Sequence, residues 1–100
     1  MIRGVEISIK ASKKIDEISN YIESKWSERI RKEFIEKITK SIKIIRNSPE
    51  AFPISEYRRT IRKCVVTKQT TIFYRFNSKK ITVIALFDTR QNPSNIKNIK

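Results

Sequence analysis

The chain has 100 residues, a formal net charge of +13, one cysteine and no histidine; that length suits one domain with a single core, spanning residues 1–100. The charge points to an acidic partner, whether nucleic acid, an anionic membrane or an acidic protein, while the missing histidine removes Ser-His and Cys-His nucleophile pairs, histidine metal sites and imidazole acid–base chemistry together. Cys64 alone makes neither an internal disulfide nor a zinc site, so no metal is expected, and neither is a cofactor or a small-molecule substrate.

In chain order, Val5, Ile7 and Ile9 alternate with Glu6, Ser8 and Lys10, which predicts a first strand over residues 3–10 with one buried face. This beginning has no apolar signal core, which with the single thiol fits a reducing cytoplasm. Ser12 reads as the N-cap of a first helix whose stripe is Ile15, Ile18 and Ile22 with Tyr21 beside it, ending near Ser24 to Trp26. Trp26 is placed as a plug for the end of the helical hairpin. Ser27 caps a longer helix in which Ile30, Phe34, Ile38, Ile42 and Ile45 recur at spacings of four or three. Its wet side carries Glu28/Lys32, Glu33/Lys37 and Glu36/Lys40, each pair worth roughly 0.2–0.5 kcal/mol. With so short a joint the helices fold back as an antiparallel hairpin. Asn47 ends the second helix, and Pro49 and Pro53 bracket a loop.

Three β-rich runs follow, at residues 60–67, 70–77 and 81–88, the last two joined by the polar turn Asn77-Ser78-Lys79-Lys80. The residues from Arg90 onward are polar, with at most a short helical turn at 95–99. The predicted class is α+β, in the order βααβββ, with the helical hairpin on one face of a small, mostly antiparallel sheet. No apolar run approaches the ~20 residues that span a bilayer, and the second helix alternates its charges, unlike a membrane-surface helix; no membrane partner is expected.

Charge is distributed unevenly. Residues 1–50 hold 12 Lys and Arg against 8 Asp and Glu, an excess of 4; residues 51–100 hold 11 against 2, an excess of 9. Strand alternation puts Arg62, Cys64 and Val66 on one side and Ile61, Lys63 and Val65 on the other. In the next strand Ile72, Tyr74 and Phe76 are the more apolar set and are assigned to the core, leaving Thr71, Phe73 and Arg75 outside. Arginines interleaved with an aromatic ring suit phosphates and stacked bases, or an acidic, partly apolar peptide. The same residues would serve equally as a solvated face that keeps the sheet from aggregating. Tyr57, beside Arg58 and Arg59, either joins such a site or covers the loop. Cys64 reads as a small buried residue, since no base accompanies it, and Asp88 with Arg90 as a structural pair at the end of the last strand.

Taken in order, Ile9-Lys10-Ala11, Ile18-Ser19-Asn20-Tyr21-Ile22, Asn47-Ser48-Pro49-Glu50-Ala51-Phe52-Pro53, Ile61-Arg62-Lys63-Cys64-Val65-Val66, Ile72-Phe73-Tyr74-Arg75 and Phe87-Asp88-Thr89-Arg90-Gln91-Asn92-Pro93 resemble the RelE/ParE superfamily of toxins from type II toxin–antitoxin systems. The likeness spans almost the entire chain and is greater to the ParE-type, plasmid stabilisation branch. It implies the same βααβββ fold and a cognate antitoxin with an acidic C-terminal segment. RelE-like members cleave messenger RNA in the ribosome; ParE-like members poison DNA gyrase without catalysis of their own. In the nuclease branch cations grip the RNA beside an acid–base group, often a tyrosine near the C-terminus, a histidine or a glutamate. Arg62, Arg75 and Arg90 fall where that branch keeps its cations, yet no tyrosine follows Tyr74, and Lys63 or Lys68 would need a strongly lowered pKa to substitute. The resemblance therefore implies a ParE-like toxin that binds a target such as gyrase through Arg58, Arg59, Arg62, Arg75 and Arg90, with no catalytic residues. The alternatives are a ribosome-dependent mRNA endoribonuclease and a non-toxic nucleic-acid-binding domain.

Overall fold

In the computed structural model, which describes residues 3–89, the elements in order are β1 (Gly4–Ile7), α1 (Ile9–Lys25), α2 (Glu28–Asn47), a 3-10 turn (Pro49–Ala51), β2 (Arg62–Val65), β3 (Thr70–Phe76) and β4 (Lys80–Asp88). The strands lie in the order β1-β4-β3-β2. β1 runs parallel to β4, and the other pairs are antiparallel. This is the expected βααβββ, α+β arrangement.

The helical stripes do what their spacing requires. From α1, Ala11, Ile18 and Ile22 are buried with Ile15 packed beside them; from α2, Phe34, Ile38 and Ile45 are buried with Ile30, Ile35 and Ile42 alongside. They close on Cys64, Ile72, Tyr74, Ile81, Val83 and Leu86 of the sheet. Burying each large aliphatic side chain contributes about 1.5–3 kcal/mol, and this layer holds the hairpin on the sheet. Ser27 caps α2 by accepting from the Ile30 amide at 3.1 Å, and Arg31 reaches Glu23 of α1 at 3.4 Å. On the wet side Glu28 and Lys32 stand 3.6 Å apart. Trp26 does not plug the hairpin: it is 53% exposed and meets Tyr21 edge-on with ring centroids 6.0 Å apart.

The first strand is shorter than its alternation predicts, and none of its residues is buried. Ile9, expected on the buried face, is 78% exposed. The reason is Ser8, which ends the strand and caps α1 four residues before Ser12 could. Its amide donates to Val83 O at 2.9 Å, its Oγ accepts from the Ala11 amide at 3.0 Å, and its hydroxyl donates to Ile84 O at 3.0 Å. Starting the helix at Ile9 also brings Ala11 onto the stripe of Ile15, Ile18 and Ile22.

Ile84, whose carbonyl Ser8 holds, is an extra residue. Phe73 pairs with Ala85 while Tyr74 pairs with Val83, so β4 bulges at Ile84 and its parity inverts there. Before the bulge Ile81 and Val83 are buried; after it Leu86 and Asp88 are. Two consecutive residues, Ile84 and Ala85, are thereby freed from the core.

Tyr74 pins the loop after α2. Its buried hydroxyl donates to Pro49 O at 2.6 Å, and its ring meets Phe52 edge-on at 6.3 Å. Burial pushes the hydroxyl from 10 up to about 12, with the nearby Arg62 charge pulling weakly the other way.

Two outcomes are expected from unfolding experiments. Ser8→Ala should cost about 1–2 kcal/mol through the lost cap and the orphaned Ile84 carbonyl, whereas Ser12→Ala should stay within about 0.5 kcal/mol; urea melts compare them. Because the fold favours the neutral phenol, the stability it adds is whole below about pH 10 and is lost as pH rises towards about 12. Tyr74→Phe should cost about 0.5–1.5 kcal/mol at neutral pH and flatten that alkaline loss, read from melts at rising pH.

Candidate partner-binding face

The face of the sheet turned away from the helices is made by pleating. Since Ile72 and Tyr74 go inward, Thr71, Phe73 and Arg75 go outward, joined in register by Lys63 opposite Phe73 and Val65 opposite Thr71. The bulge adds Ile84, Ala85 and Phe87. Together with Ile61, Ser55, Tyr57 and Arg58, the side chains Phe73, Ile84, Ala85 and Phe87 line an apolar cleft of about 350 Å³.

One wall of this cleft is the loop between the 3-10 turn and β2, and its shape is fixed by main-chain bonds. The Lys63 amide donates to Pro53 O at 3.0 Å, that of Ser55 to Ile61 O at 2.7 Å and that of Ile61 to Arg58 O at 3.2 Å. The Tyr57 amide donates to Ser55 Oγ at 3.1 Å. These bonds hold Tyr57, 80% exposed, and Arg58 at the rim.

The arginines named from the sequence do not form one row. Arg58 lines the cleft, and Arg59 is exposed next to it. Arg75 is on the same face beyond the bulge, beside Glu6, Lys80 and Thr82. Arg62 is on the opposite, helix-facing side, because its register partner is Tyr74. There its guanidinium donates to Phe52 O at 2.6 Å and Glu50 O at 3.3 Å and stands 5.7 Å from the Phe76 ring centroid. Arg62 therefore braces the loop from behind, and the expected alignment of Arg62 with Arg75 is corrected. Arg90, and with it the pair expected with Asp88, lies outside the described residues.

Carboxylates are few here and are engaged. Glu56 accepts from Lys63 at 2.6 Å, a contact that holds its carboxyl below the usual range, and Glu6 meets Lys80 at 3.0 Å. Asp88 is buried and accepts from Thr70 Oγ1. Burial pushes the Cys64 thiol up, a hydrogen bond with Ser41 offsetting part of the rise. Among the described residues no group of His, Cys, Asp and Glu could hold a metal ion, and no helix is long and apolar enough to cross a membrane. What the face offers is an apolar recess with Arg58 at its rim and further exposed cations, Arg59 and Arg75, outside it, a surface for binding.

Sequence reasoning found Phe73, Arg58 and Arg75 but missed Ile84, Ala85 and Phe87. Strict alternation over residues 81–88 sets Ile81, Val83, Ala85 and Phe87 on one side, and nothing local announces the bulge that divides them.

The family model described as the ParE toxin of the type II toxin-antitoxin system, parDE, matches residues 5–93. Among solved structures, the chain is similar to one from the chromosomal ParDE TA system of P. aeruginosa, with a TM-score of 0.75 at 11% identity, covering 87% of this chain and 96% of that one. It is also similar to a chain of the E. coli DinJ-YafQ toxin-antitoxin complex, with a TM-score of 0.60 at 12% identity over 90% and 96%. For YafQ from E. coli strain BL21(DE3) the TM-score is 0.58 at 13% identity over 88% and 94%. At these identities the likeness is one of fold. No curated protein matches the sequence significantly.

Arg62 and Arg75 should separate cleanly by mutation. Arg62→Ala removes a charged donor from two loop carbonyls and should cost about 1.5–3 kcal/mol, while Arg75→Ala should stay within about 0.5 kcal/mol. Chemical denaturation of the two variants checks this.

Proposed function

The chain belongs to the family of ParE toxins of type II toxin-antitoxin systems, and on that premise we propose that it acts by docking on a macromolecular target, DNA gyrase, without catalysing a reaction. It works in the cytoplasm as a single toxin domain over residues 1–100. A cognate antitoxin with an acidic, partly apolar C-terminal segment neutralises it by covering part of the same face. The observation that carries this reading is the apolar cleft between Phe73 and Phe87 with Arg58 at its rim, in a chain with no histidine and with the Tyr74 hydroxyl buried against Pro49 O.

Arg58, Arg59 and Arg75 supply the long-range attraction and the rim contacts; Arg90 joins them in this proposal, and Arg62 contributes by holding the loop. Apolar anchoring in a recess gives affinity, and the surrounding cations set encounter rate and orientation. The structural neighbours support an antitoxin partner, since they come from a ParDE system and a DinJ-YafQ toxin-antitoxin complex.

Expression from a tightly controlled promoter should arrest growth with SOS induction and gyrase-linked DNA breaks. Arrest with intact chromosomes and codon-phased cuts in translated messages would instead assign the chain to the RNA-cleaving branch. The double variant Arg58→Glu with Arg75→Glu should keep the wild-type unfolding midpoint and lose target affinity by roughly 10- to 100-fold, read by titration against purified gyrase. Co-expression of a short neighbouring reading frame with an acidic end should restore growth of the wild type.

A further inference from the structure

The two edges of the sheet are finished differently. Along β2 the chain closes its own edge: Lys63 donates to Pro53 O, Ser55 donates to Ile61 O, and Ile54 bridges to Arg62. Along β1 no described segment does the same. Pairing with β4 uses the amides of Gly4 and Ser8, which donate to Lys79 O and Val83 O, both at 2.9 Å. Alternate residues of a strand turn their main-chain groups to the same side, so Val5 and Ile7 direct their N–H and C=O groups outward.

Apart from its shortness, four residues, this edge has little protection among the described residues. β1 contains no proline, lysine or bulge, and its one charged residue, Glu6, is engaged by Lys80. Val5 and Ile7 are in register with the buried Ile81 and Val83, yet each is 40% exposed, and Ile9 just beyond them is 78% exposed. Outward main-chain donors and acceptors with no partner among the described residues, beside a partly exposed aliphatic strip, form the geometry that accepts an added strand.

We propose that the outer edge of β1 takes an extended segment of the antitoxin as a fifth strand, its main chain bonding to Val5 and Ile7 and its apolar side chains covering those of Val5, Ile7 and Ile9. This deepens the functional reading above and rests on it. A second copy is a poor occupant, because two chains of formal charge +13 repel; an acidic partner is drawn by the same charge. β1 and β2 are opposite edges of the sheet, so a strand on β1 leaves the cleft beside the β2 loop open to a second segment of the same antitoxin. Two linked contacts give a neutralising grip that neither supplies alone.

Val5→Pro tests the idea. The Val5 amide takes no part in pairing with β4, so proline removes an outward donor and little else. The variant should unfold at the wild-type midpoint, arrest growth like the wild type, and bind the full-length antitoxin at least about tenfold more weakly by calorimetry. In the wild-type complex, the Val5 and Ile7 amides should become protected from hydrogen exchange, a readout that needs no mutation and stands even if the proline variant misfolds. Wild-type affinity of a folded Val5→Pro chain, or unprotected amides in the complex, overturns the proposal while neutralisation itself still stands. Protection already present in the free monomer, or appearing only as the chain dimerises, assigns the edge to the chain's own remaining residues or to a second copy and also overturns it. A wild-type chain that binds no acidic antitoxin overturns the functional reading together with this proposal.

Discussion

The outward face of this molecule depends on how Ser8 and one extra residue in β4 are fitted together. A bulge leaves main-chain groups without ladder partners, and buried groups in that position are costly unless something else bonds them. Ser8 bonds the Ile84 carbonyl while also capping α1 and ending β1. The same side chain thus joins the first strand, the first helix and the central strand. With the bulge held, β4 sends Ile81 and Val83 inward and then Leu86 inward, and Ala85 and Phe87 are displaced to the other face. Continuous alternation would have sent Phe87 towards the helices and left no cleft.

The distribution of charge follows a related economy. Acids are scarce in the later half of the chain, and two exposed carboxylates near the sheet are taken up by lysines, Glu56 with Lys63 and Glu6 with Lys80. Such exposed pairs contribute little to stability, typically about 0.2–1 kcal/mol, but they neutralise flexible cations on the outer face. The arginines then divide by register. Arg62 spends its guanidinium on the loop carbonyls behind the sheet, and Arg58, Arg59 and Arg75 remain towards solvent. The face is accordingly an apolar recess with cations at its margin, better suited to a protein partner with apolar anchors than to a bare phosphate chain.

The buried tyrosine belongs to the same division between support and contact. Tyr74 fixes the 3-10 turn after α2 through Pro49 O, and Arg62 fixes the residue just after that turn through Phe52 O. Between them they hold the segment that forms the wall of the cleft and closes the edge of β2. Rigid support behind an exposed, apolar and cationic rim lowers the entropic cost of binding.

The helical hairpin, the hairpin turn at Asn77–Lys80 and the inward set Ile72 and Tyr74 were legible in the amino-acid sequence, because each depends on spacing within a few residues: isoleucines at four and three, a polar turn, alternation at two. The start of α1 was not, since Ser8 and Ser12 are both acceptable caps, and only the main-chain partners at Val83 and Ile84 select the first. Nor was the side on which Arg62 lies relative to Arg75, because alternation within each strand leaves open how two strands are paired. Local pattern determined which residues share a face of one element. Which face of each strand meets the helices was decided by the pairing registers and the shared apolar layer, and where α1 starts beside the bulge of β4 by the bonds of Ser8 to Val83 and Ile84, about 75 positions away; the cleft is a product of both.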